Sequence, residues 1–140
     1  MTEQFDLENN VEHLSIAPVA RANTDFRRVL WTGPHAQIVL QTLQPGEEIG
    51  AEVHEHGDQI LNFAAGTGRA DIAGISYDVE AGMQFSVPAG TLHNFINTGD
   101  MPLVLYTIYA PPEHAAGAAY ATKEEADQAE ESGADKPPTP

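Results

Sequence analysis

The sequence contains no cysteine among its 140 residues. Disulfide bonds, zinc–thiolate sites and cysteine nucleophiles are therefore all excluded. Basic residues are also scarce, since 6 lysines and arginines stand against 21 aspartates and glutamates and give a formal net charge of −15 at pH 7. A polyanion binds to a basic patch, so neither nucleic acid nor an anionic membrane surface is an expected partner.

Long apolar runs are missing as well. No stretch approaches the roughly 20 apolar residues that a membrane-spanning helix needs. The first residues, MTEQFDLENN, have neither a basic start nor an apolar segment, so they do not resemble a signal peptide. We therefore expect a cytoplasmic protein without membrane contact.

Short strand-like segments make up most of what is present. Apolar residues are 41% of the chain, which is typical of a packed domain, and 12 glycines and 10 prolines favour many turns. From Phe26 onward, β-branched and aromatic runs such as FRRVLWT, QILNFAA and LVLYTIYA alternate with turn signals such as TGPH, QPGEE and NTGDMP. This pattern predicts an all-β sandwich or barrel.

The composition divides the chain into three parts. Residues 1–25 are expected to form an N-terminal arm, in which VEHLSIAPVA is either an edge strand or part of the arm, residues 26–112 a β-barrel, and residues 113–140 a C-terminal extension. In the extension, Thr122 and Glu125 have the spacing of a capping box, which predicts a short helix over about 123–131. Its acidic, weakly apolar composition favours a frayed helix, and DKPPTP at the end is expected to be disordered or extended.

Two histidines in EVHEHGDQ, residues 52–59, raise the question of a metal site. In a strand, residues i and i+2 share a face about 7 Å apart. If this stretch is a strand, His54 and His56 therefore point the same way, together with Glu52. Paired histidines of this kind are also common on protein surfaces without a metal, so the pair alone decides nothing.

A second stretch, EAGMQFSVPAGTLHNFIN, supplies a third histidine. Gly82, Pro88 and Gly90 form tight turns that lead into a strand beginning near His93. This arrangement can bring a third imidazole from a distant strand onto the same ion. Three imidazoles with room for water or substrate are the composition of an open metal site.

Together the two stretches resemble the two motifs of the cupin superfamily. The second motif, with glycine, proline, glycine, histidine and asparagine at fixed spacings, is matched at every fixed position from Gly82 to Asn97. The first is matched in part, since His54 and His56 supply its histidine pair, its leading glycine is displaced, and Gln59 replaces the usual glutamate after a shortened gap. PAGTLHNFINTGDMPLVLYTIYAPPEH also resembles the small single-domain cupins of the mannose-6-phosphate isomerase-like subgroup.

The resemblance covers roughly residues 26–110 and implies a fold and a cofactor. It implies a single-domain jelly-roll β-barrel that holds one divalent transition metal, such as Zn, Fe, Ni or Mn, and that often forms a homodimer. The implied ligands are His54, His56, Gln59 and His93. In one alternative, the tight EHGDQ turn rotates one of these out and Asp58 or water replaces it. In another, the barrel is empty and its histidines only form hydrogen bonds.

Glutamine in place of glutamate changes the expected chemistry. The amide of Gln59 offers a neutral oxygen that does not titrate near neutral pH, so a bound ion would keep its full charge. The site would also lack a ligating carboxylate that could act as a base. Glu52 and Asp58 are candidates for a catalytic base, and Tyr106 and Tyr109 for an acid or a substrate donor.

Strand alternation predicts the wall of the pocket. If Gln59 and His93 face inward, so do the apolar side chains two and four residues further on. Phe85 is a further candidate. The predicted wall consists of Leu61, Phe63, Phe85 and Phe95, and it suits a small, partly apolar ligand. Neither motif contains lysine or arginine, so a phosphorylated sugar is poorly supported.

Two functions remain open at this point. One is a metal-dependent enzyme of the dioxygenase, isomerase or lyase type that acts on a small organic molecule. The other is a non-catalytic module that binds or senses a metal or a small molecule, which the lack of a clear base favours. A purely structural role would leave three convergent histidines unexplained.

Overall fold

The computed structural model of the chain describes residues 4–6 and 11–138, and within them it contains eleven strands and two helices. The strands are β1 (Gln4–Asp6), β2 (Val11–His13), β3 (Arg27–Thr32), β4 (Gln37–Leu43), β5 (Asp58–Ala65), β6 (Thr67–Ile72), β7 (Ile75–Glu80), β8 (Gln84–Val87), β9 (His93–Ile96), β10 (Leu103–Ala110) and β11 (Ala119–Tyr120), and the helices are α1 (Ile16–Ala22) and α2 (Lys123–Glu131). In the described part of the chain, neither helix has the length and apolar character that crossing a bilayer requires.

Two antiparallel sheets form the body of the fold. The larger has six strands in the order β11-β3-β4-β10-β5-β8, and the smaller has three in the order β7-β6-β9. Strands distant in sequence lie side by side, as β4 does with β10, which is typical of a jelly roll with long crossover connections. The prediction of an all-β jelly-roll barrel with a short C-terminal helix is confirmed.

The smaller sheet continues beyond β9 through two isolated bridges. Glu48 pairs with Ile96 and Glu52 pairs with His93, both antiparallel. At the second bridge each residue donates its amide N–H to the other's carbonyl oxygen at 3.0 Å. The backbone of Glu52 is therefore fixed directly opposite His93.

The main core lies between the sheets. The large sheet contributes Leu61 and Leu105, and the small sheet contributes Ala70 and Phe95, so the two sheets pack face to face. The fully or nearly buried members of this core are Phe26, Leu43, Ile49, Leu61, Phe63, Ala70, Val79, Val87, Phe95, Leu103, Leu105 and Ala126. This core occupies one end of the barrel interior and leaves the polar residues described below at the other.

Helix α1 covers the outer face of the large sheet. Its buried residues Val19 and Ala20 pack with Leu40 and Val104 on that face. The sequence predicted either an edge strand or an arm here, and the helix was not predicted. Pro18 lies in the first turn, where its missing N–H costs no helical hydrogen bond, so it does not prevent the helix.

Helix α2 begins as the capping box predicts. The Thr122 hydroxyl accepts from the amide of Glu125 at 3.2 Å, and the Glu125 carboxylate accepts from the amide of Ala121 at 3.0 Å. Ala126 is 0% exposed and belongs to the same core as Phe26. The helix is therefore docked against the barrel, and the expectation of a frayed helix was wrong.

The residues after α2 are also anchored at their start. Asp135 is buried and accepts hydrogen bonds from His114 Nδ1 and from the amide of Ala115, both at 2.8 Å. The sequence predicted a disordered or extended end from this residue onward, whereas Asp135 is held at the barrel. The last two residues, 139 and 140, lie outside the described residues.

Candidate metal centre

Three side chains converge at the polar end of the barrel. Glu52, His54 and His93 each offer one ligand atom, and these atoms all lie within 4.8 Å of one another. Glu52 Oε1 lies 3.2 Å from His54 Nε2 and 3.8 Å from His93 Nε2. One carboxylate between two imidazoles is a donor set that suits a divalent transition metal.

His93 is oriented for ligation by its own loop. Its Nδ1 lies 2.8 Å from the carbonyl oxygen of Thr91, so Nδ1 carries the proton and donates it, and Nε2 keeps its lone pair. That Nε2 is buried and has no hydrogen-bond partner within the described chain. A buried nitrogen with a free lone pair is costly to leave alone, and a metal ion would satisfy it.

Gln59 presents a second buried atom of this kind. Its amide nitrogen donates to the Thr107 hydroxyl and to the Tyr109 hydroxyl, both at 3.1 Å, which uses both amide hydrogens. Its Oε1 is buried without a hydrogen-bond partner among the residues described. Because both amide hydrogens of Gln59 are already donated, Oε1 is the atom of this side chain that remains available to a metal ion.

Tyr109 connects Gln59 to the histidines. Its ring meets the ring of His54 edge-on, with centroids 5.5 Å apart, and the rings of His54 and His93 are 5.2 Å apart. Burial and the charge of Glu52 raise the pKa of Tyr109 above its usual value. Its hydroxyl therefore stays protonated and acts as a neutral hydrogen-bonding group.

His54 lies between two carboxylates. Its Nε2 is 3.2 Å from Glu52 and its Nδ1 is 3.2 Å from Glu113 Oε1. Burial alone would lower the pKa of His54, but the hydrogen bonds and charges of these two carboxylates raise it to about 10. For Glu52 the effects have the opposite signs. Burial alone would raise the pKa of Glu52, but the hydrogen bond and charge of His54 outweigh burial and lower that pKa. The carboxylates thus create a position that favours positive charge, which a metal ion would occupy in place of the proton.

Glu113 reaches this position through a loop held by Gln37. The buried Gln37 side chain accepts from the amides of Glu113 and His114 at 3.1 and 2.9 Å, and donates to the carbonyl oxygen of His114 at 2.8 Å. Neither Glu113 nor Gln37 was predicted as a site residue from the sequence. Glu113 is the last residue of APPE and directly precedes His114, and this context gives no strand or motif spacing from which its position could be inferred.

The stretch 52–56 is not a strand, apart from the bridge at Glu52. The chain bends at residues 55 and 56, so His54 is buried and His56 is exposed. Of the four predicted ligands, the structure brings together His54 and His93 and places the exposed His56 outside. The fourth, Gln59, is linked to His54 through Tyr109, to which it donates a hydrogen bond. Asp58 does not replace His56, because its carboxylate accepts from the amide of Ala89 at 2.9 Å. Glu52, predicted as a catalytic base, lies among the ligand atoms.

The two tyrosines proposed as acids face opposite sides of β10. Tyr109 points into the barrel, whereas Tyr106 packs on the outer face with residues of α1 and β4. Residues three apart in a strand cannot share a face. Tyr106 therefore lies away from the metal centre.

The predicted apolar wall is part of the packed core. Leu61, Phe63 and Phe95 are at most 3% exposed. The rings of Phe63, Phe85 and Phe95 pack on one another, with centroid separations of 5.6 to 5.9 Å. Phe95 continues this packing to the metal centre, since its ring centroid lies 6.3 Å from that of His93.

Comparisons with known proteins agree with this architecture. Residues 39–109 match the Cupin domain family. The chain is 42% identical over 124 residues to the uncharacterized protein YrkC of Bacillus subtilis, covering 84% of this chain and 67% of that protein. It is 37% identical over 115 residues to the uncharacterized protein L612 of Acanthamoeba polyphaga mimivirus, covering 79% and 71%. The crystal structure of BH2720 from Bacillus halodurans superposes with a TM-score of 0.82 at 40% identity, covering 83% of this chain and 92% of that one.

Proposed function

Because this chain belongs to the cupin family, and because its barrel gathers a glutamate and two histidines, we propose that it is a metal-dependent enzyme acting on a small organic molecule inside the barrel. The reaction would be of the dioxygenase, isomerase or lyase type. The proposed metal is one divalent transition ion, such as Zn, Fe, Ni or Mn. The proposed ligands are Glu52, His54 and His93, with Gln59 as a neutral fourth.

The observation that carries this proposal is the pair of unsatisfied buried atoms, His93 Nε2 and Gln59 Oε1. In a folded protein such atoms are few, because each costs about 1–3 kcal/mol. Both atoms belong to residues whose other polar atoms are fixed by hydrogen bonds, so the free atom is held in one orientation. A divalent ion there would polarise an oxygen atom of a bound molecule or acidify a bound water.

The chain's own residues would bind and orient the ligand. Glu113 holds the ring of His54 through Nδ1, which is the usual role of a carboxylate behind a metal-binding histidine. Tyr109 and Thr107 fix the amide of Gln59. Phe95 borders the centre on its apolar side, where its ring packs against that of His93.

A non-catalytic binding or sensing module is the second candidate function. The observation that favours it is that Glu52 and Glu113 are both engaged by His54. With both carboxylates engaged, neither is free to take a proton from a substrate. A protein of this kind would bind the metal and the small molecule without turnover.

Three further properties are part of the proposal. We infer a place in the mannose-6-phosphate isomerase-like subgroup of small cupins, a cytoplasmic location and a homodimer. The exposed apolar residues Ile75 and Tyr77 on the edge strand β7 support self-association, since such an edge can pair with a second copy. The acidic net charge of −15 supports the absence of nucleic acid as a partner.

Metal uptake tests the proposed centre. The purified protein would be freed of metal, incubated with Zn, Ni, Mn or Fe(II), desalted and measured for metal per chain. We expect one equivalent for the wild type and for His35→Ala, an exposed control, and loss of uptake in His93→Ala. His56→Ala should retain the metal, whereas Glu52→Gln should weaken binding about tenfold or more. No stoichiometric metal in the wild type would overturn the proposal, and loss in His56→Ala with retention in Glu52→Gln would overturn this ligand set.

Turnover separates the two candidate functions. The metal-loaded protein would be screened against small organic acids, ketones and sugars, with oxygen consumption and product formation followed in parallel. Turnover that disappears in His93→Ala supports the enzyme. Saturable binding without turnover across the screen supports the binding module instead.

A further inference from the structure

A second polar group lies inside the barrel, apart from the metal centre. Arg27 on β3 and Gln41 on β4 stand directly opposite each other in the antiparallel register, and they are 3% and 0% exposed. Arg27 Nε and Nη1 and both polar atoms of the Gln41 side chain are buried without a hydrogen-bond partner in the described part of the chain. A buried cation without a hydrogen-bonded counter-ion is among the more costly arrangements in a protein interior.

The strand pairing places both residues on the inner face of the large sheet. Gln41 also stands opposite Leu105 of β10, which belongs to the barrel core. The guanidinium carbon of Arg27 lies 5.4 Å from the centre of the Phe26 ring, so one face of the cation rests on an aromatic wall. The N–H groups on Nε and Nη1 remain without a hydrogen-bond acceptor among the described residues.

The strands that carry Arg27 and Gln41 lead to the metal centre. The next inward-facing pair on β3 and β4, Val29 and Val39, stand opposite each other and pack with Tyr109. The ring of Tyr109 meets the ring of His54 edge-on, with centroids 5.5 Å apart. Arg27, Gln41 and the proposed metal ligands therefore lie along one inner wall of the barrel, so one small molecule could touch both.

We infer that Arg27 and Gln41 form a subsite for the carboxylate group of a small organic acid whose other end lies at the metal centre. This inference rests on the proposed function, because it names the substrate class of the same barrel. A planar guanidinium and an amide N–H₂ are donors that match the two oxygens of a carboxylate. Gln41 Oε1 remains as an acceptor for a hydroxyl group of the same molecule.

A carboxylate fits this subsite better than a phosphate does. Arg27 supplies one positive charge, while Glu52, Glu113 and Asp135 already place negative charge around the polar end of the barrel. A monoanion balances Arg27, whereas a phosphate dianion would add a surplus negative charge near these carboxylates. The two sequence motifs contain no lysine or arginine, which argued against an anionic ligand. Arg27 lies upstream of both motifs and supplies the positive charge that such a ligand needs.

Stability separates a ligand subsite from a structural arginine. If Arg27 serves ligand binding, Arg27→Met removes an unsatisfied buried charge, so the ligand-free variant should melt at the same temperature as the wild type or higher. If Arg27 instead stabilises the fold through the nearby carboxylates, the same substitution should lower the melting temperature. Gln41→Leu, of similar volume, provides an independent variant with the same expectation.

Binding of propanoate tests the inference, with propanamide as a neutral probe of the same size. Titrations followed by amide NMR shifts would use both metal-free and metal-loaded protein. We expect saturable propanoate binding that is at least about tenfold stronger than propanamide binding, and that falls about tenfold or more in Arg27→Met and weakens in Gln41→Leu. Arg28→Met, on the neighbouring half-buried residue, is the matched control and should bind propanoate like the wild type.

Each result bears on one proposal or the other. Unchanged propanoate binding in Arg27→Met, no preference over propanamide, or a lower melting temperature of Arg27→Met would overturn the subsite. Tighter binding of inorganic phosphate than of propanoate would overturn the carboxylate assignment. Arg27 is not a proposed metal ligand, so the two proposals can fail separately. If the wild type takes up no metal but still binds propanoate through Arg27, the metal-dependent enzyme is rejected and the carboxylate subsite is retained.

Discussion

Gln59 is the side chain whose chemistry most distinguishes this barrel. The motif that the sequence resembles has a glutamate at this place, and the amide offers an oxygen atom without the negative charge. The structure explains how a glutamine is kept here, since Thr107 and Tyr109 take both of its amide hydrogens. In the proposed ligand set, Gln59 is neutral and Glu52 is the negatively charged member.

Restoring the carboxylate should shift both stability and metal affinity. Gln59→Glu places a second acid in a buried centre with Glu52, so the metal-free variant should lose about 1–3 kcal/mol of unfolding free energy. The same charge should raise metal affinity about tenfold or more. Urea unfolding with chelator and competition titrations with metal would measure the two effects. Gln44→Glu, which adds the same charge at an exposed position, should change neither, and equal effects in both variants would contradict the prediction.

Alternation along a strand predicted single residues well where a strand exists. Gln59, Leu61 and Phe63 on β5 are all buried and face inward, as their spacing indicates. The same rule failed at 52–56, because the chain turns there and the turn is stabilised by contacts with residues some thirty positions away, such as Gly90 N–H to His54 O at 2.9 Å. Arg27 was missed for another reason: one buried arginine beside a second, half-buried arginine has no spacing signature.

For helix α2, the bounds could be predicted from the sequence but the docking against the barrel could not. Its bounds followed from Thr122 and Glu125, because a capping box is a local interaction. Its docking could not be predicted, because a single alanine, Ala126, carries the contact, and one small residue in a polar helix gives no amphipathic pattern. Helix α1 was missed because its β-branched residues and Pro18 resemble a strand or an arm.

Substitution in α2 tests whether the helix is part of the domain. Ala126→Glu would put a charge into the core beside Phe26, so we expect a loss of about 3 kcal/mol or more in unfolding free energy. Gln128→Glu introduces the same residue on an exposed position of the same helix and should cost less than about 0.5 kcal/mol. Chemical denaturation followed by circular dichroism would measure both. Similar stabilities of the two variants would mean that α2 does not contribute to the core.

The whole molecule brings the site together from distant parts of the chain. Glu52 and His54 precede β5, His93 begins β9, and Glu113 follows β10, so the candidate metal centre depends on the packing of both sheets. The fold class followed from strand and turn patterns, and the resemblance to cupins identified two of the converging residues, His54 and His93. The third residue of the group is Glu52, whereas the sequence predicted His56. This difference could not be predicted, since it depends on the backbone pairing of residue 52 with residue 93.

Anomalous diffraction from crystals grown with Zn or Mn tests the central claim most directly. We predict one strong peak per chain inside the barrel, at about 2.0–2.3 Å from His54 and His93 nitrogens and from Glu52 and Gln59 oxygens. Crystals of His93→Ala, prepared in the same way, should lack the peak. A peak coordinated by the exposed His56 outside the barrel, or an interior without any peak at saturating metal, would contradict the account.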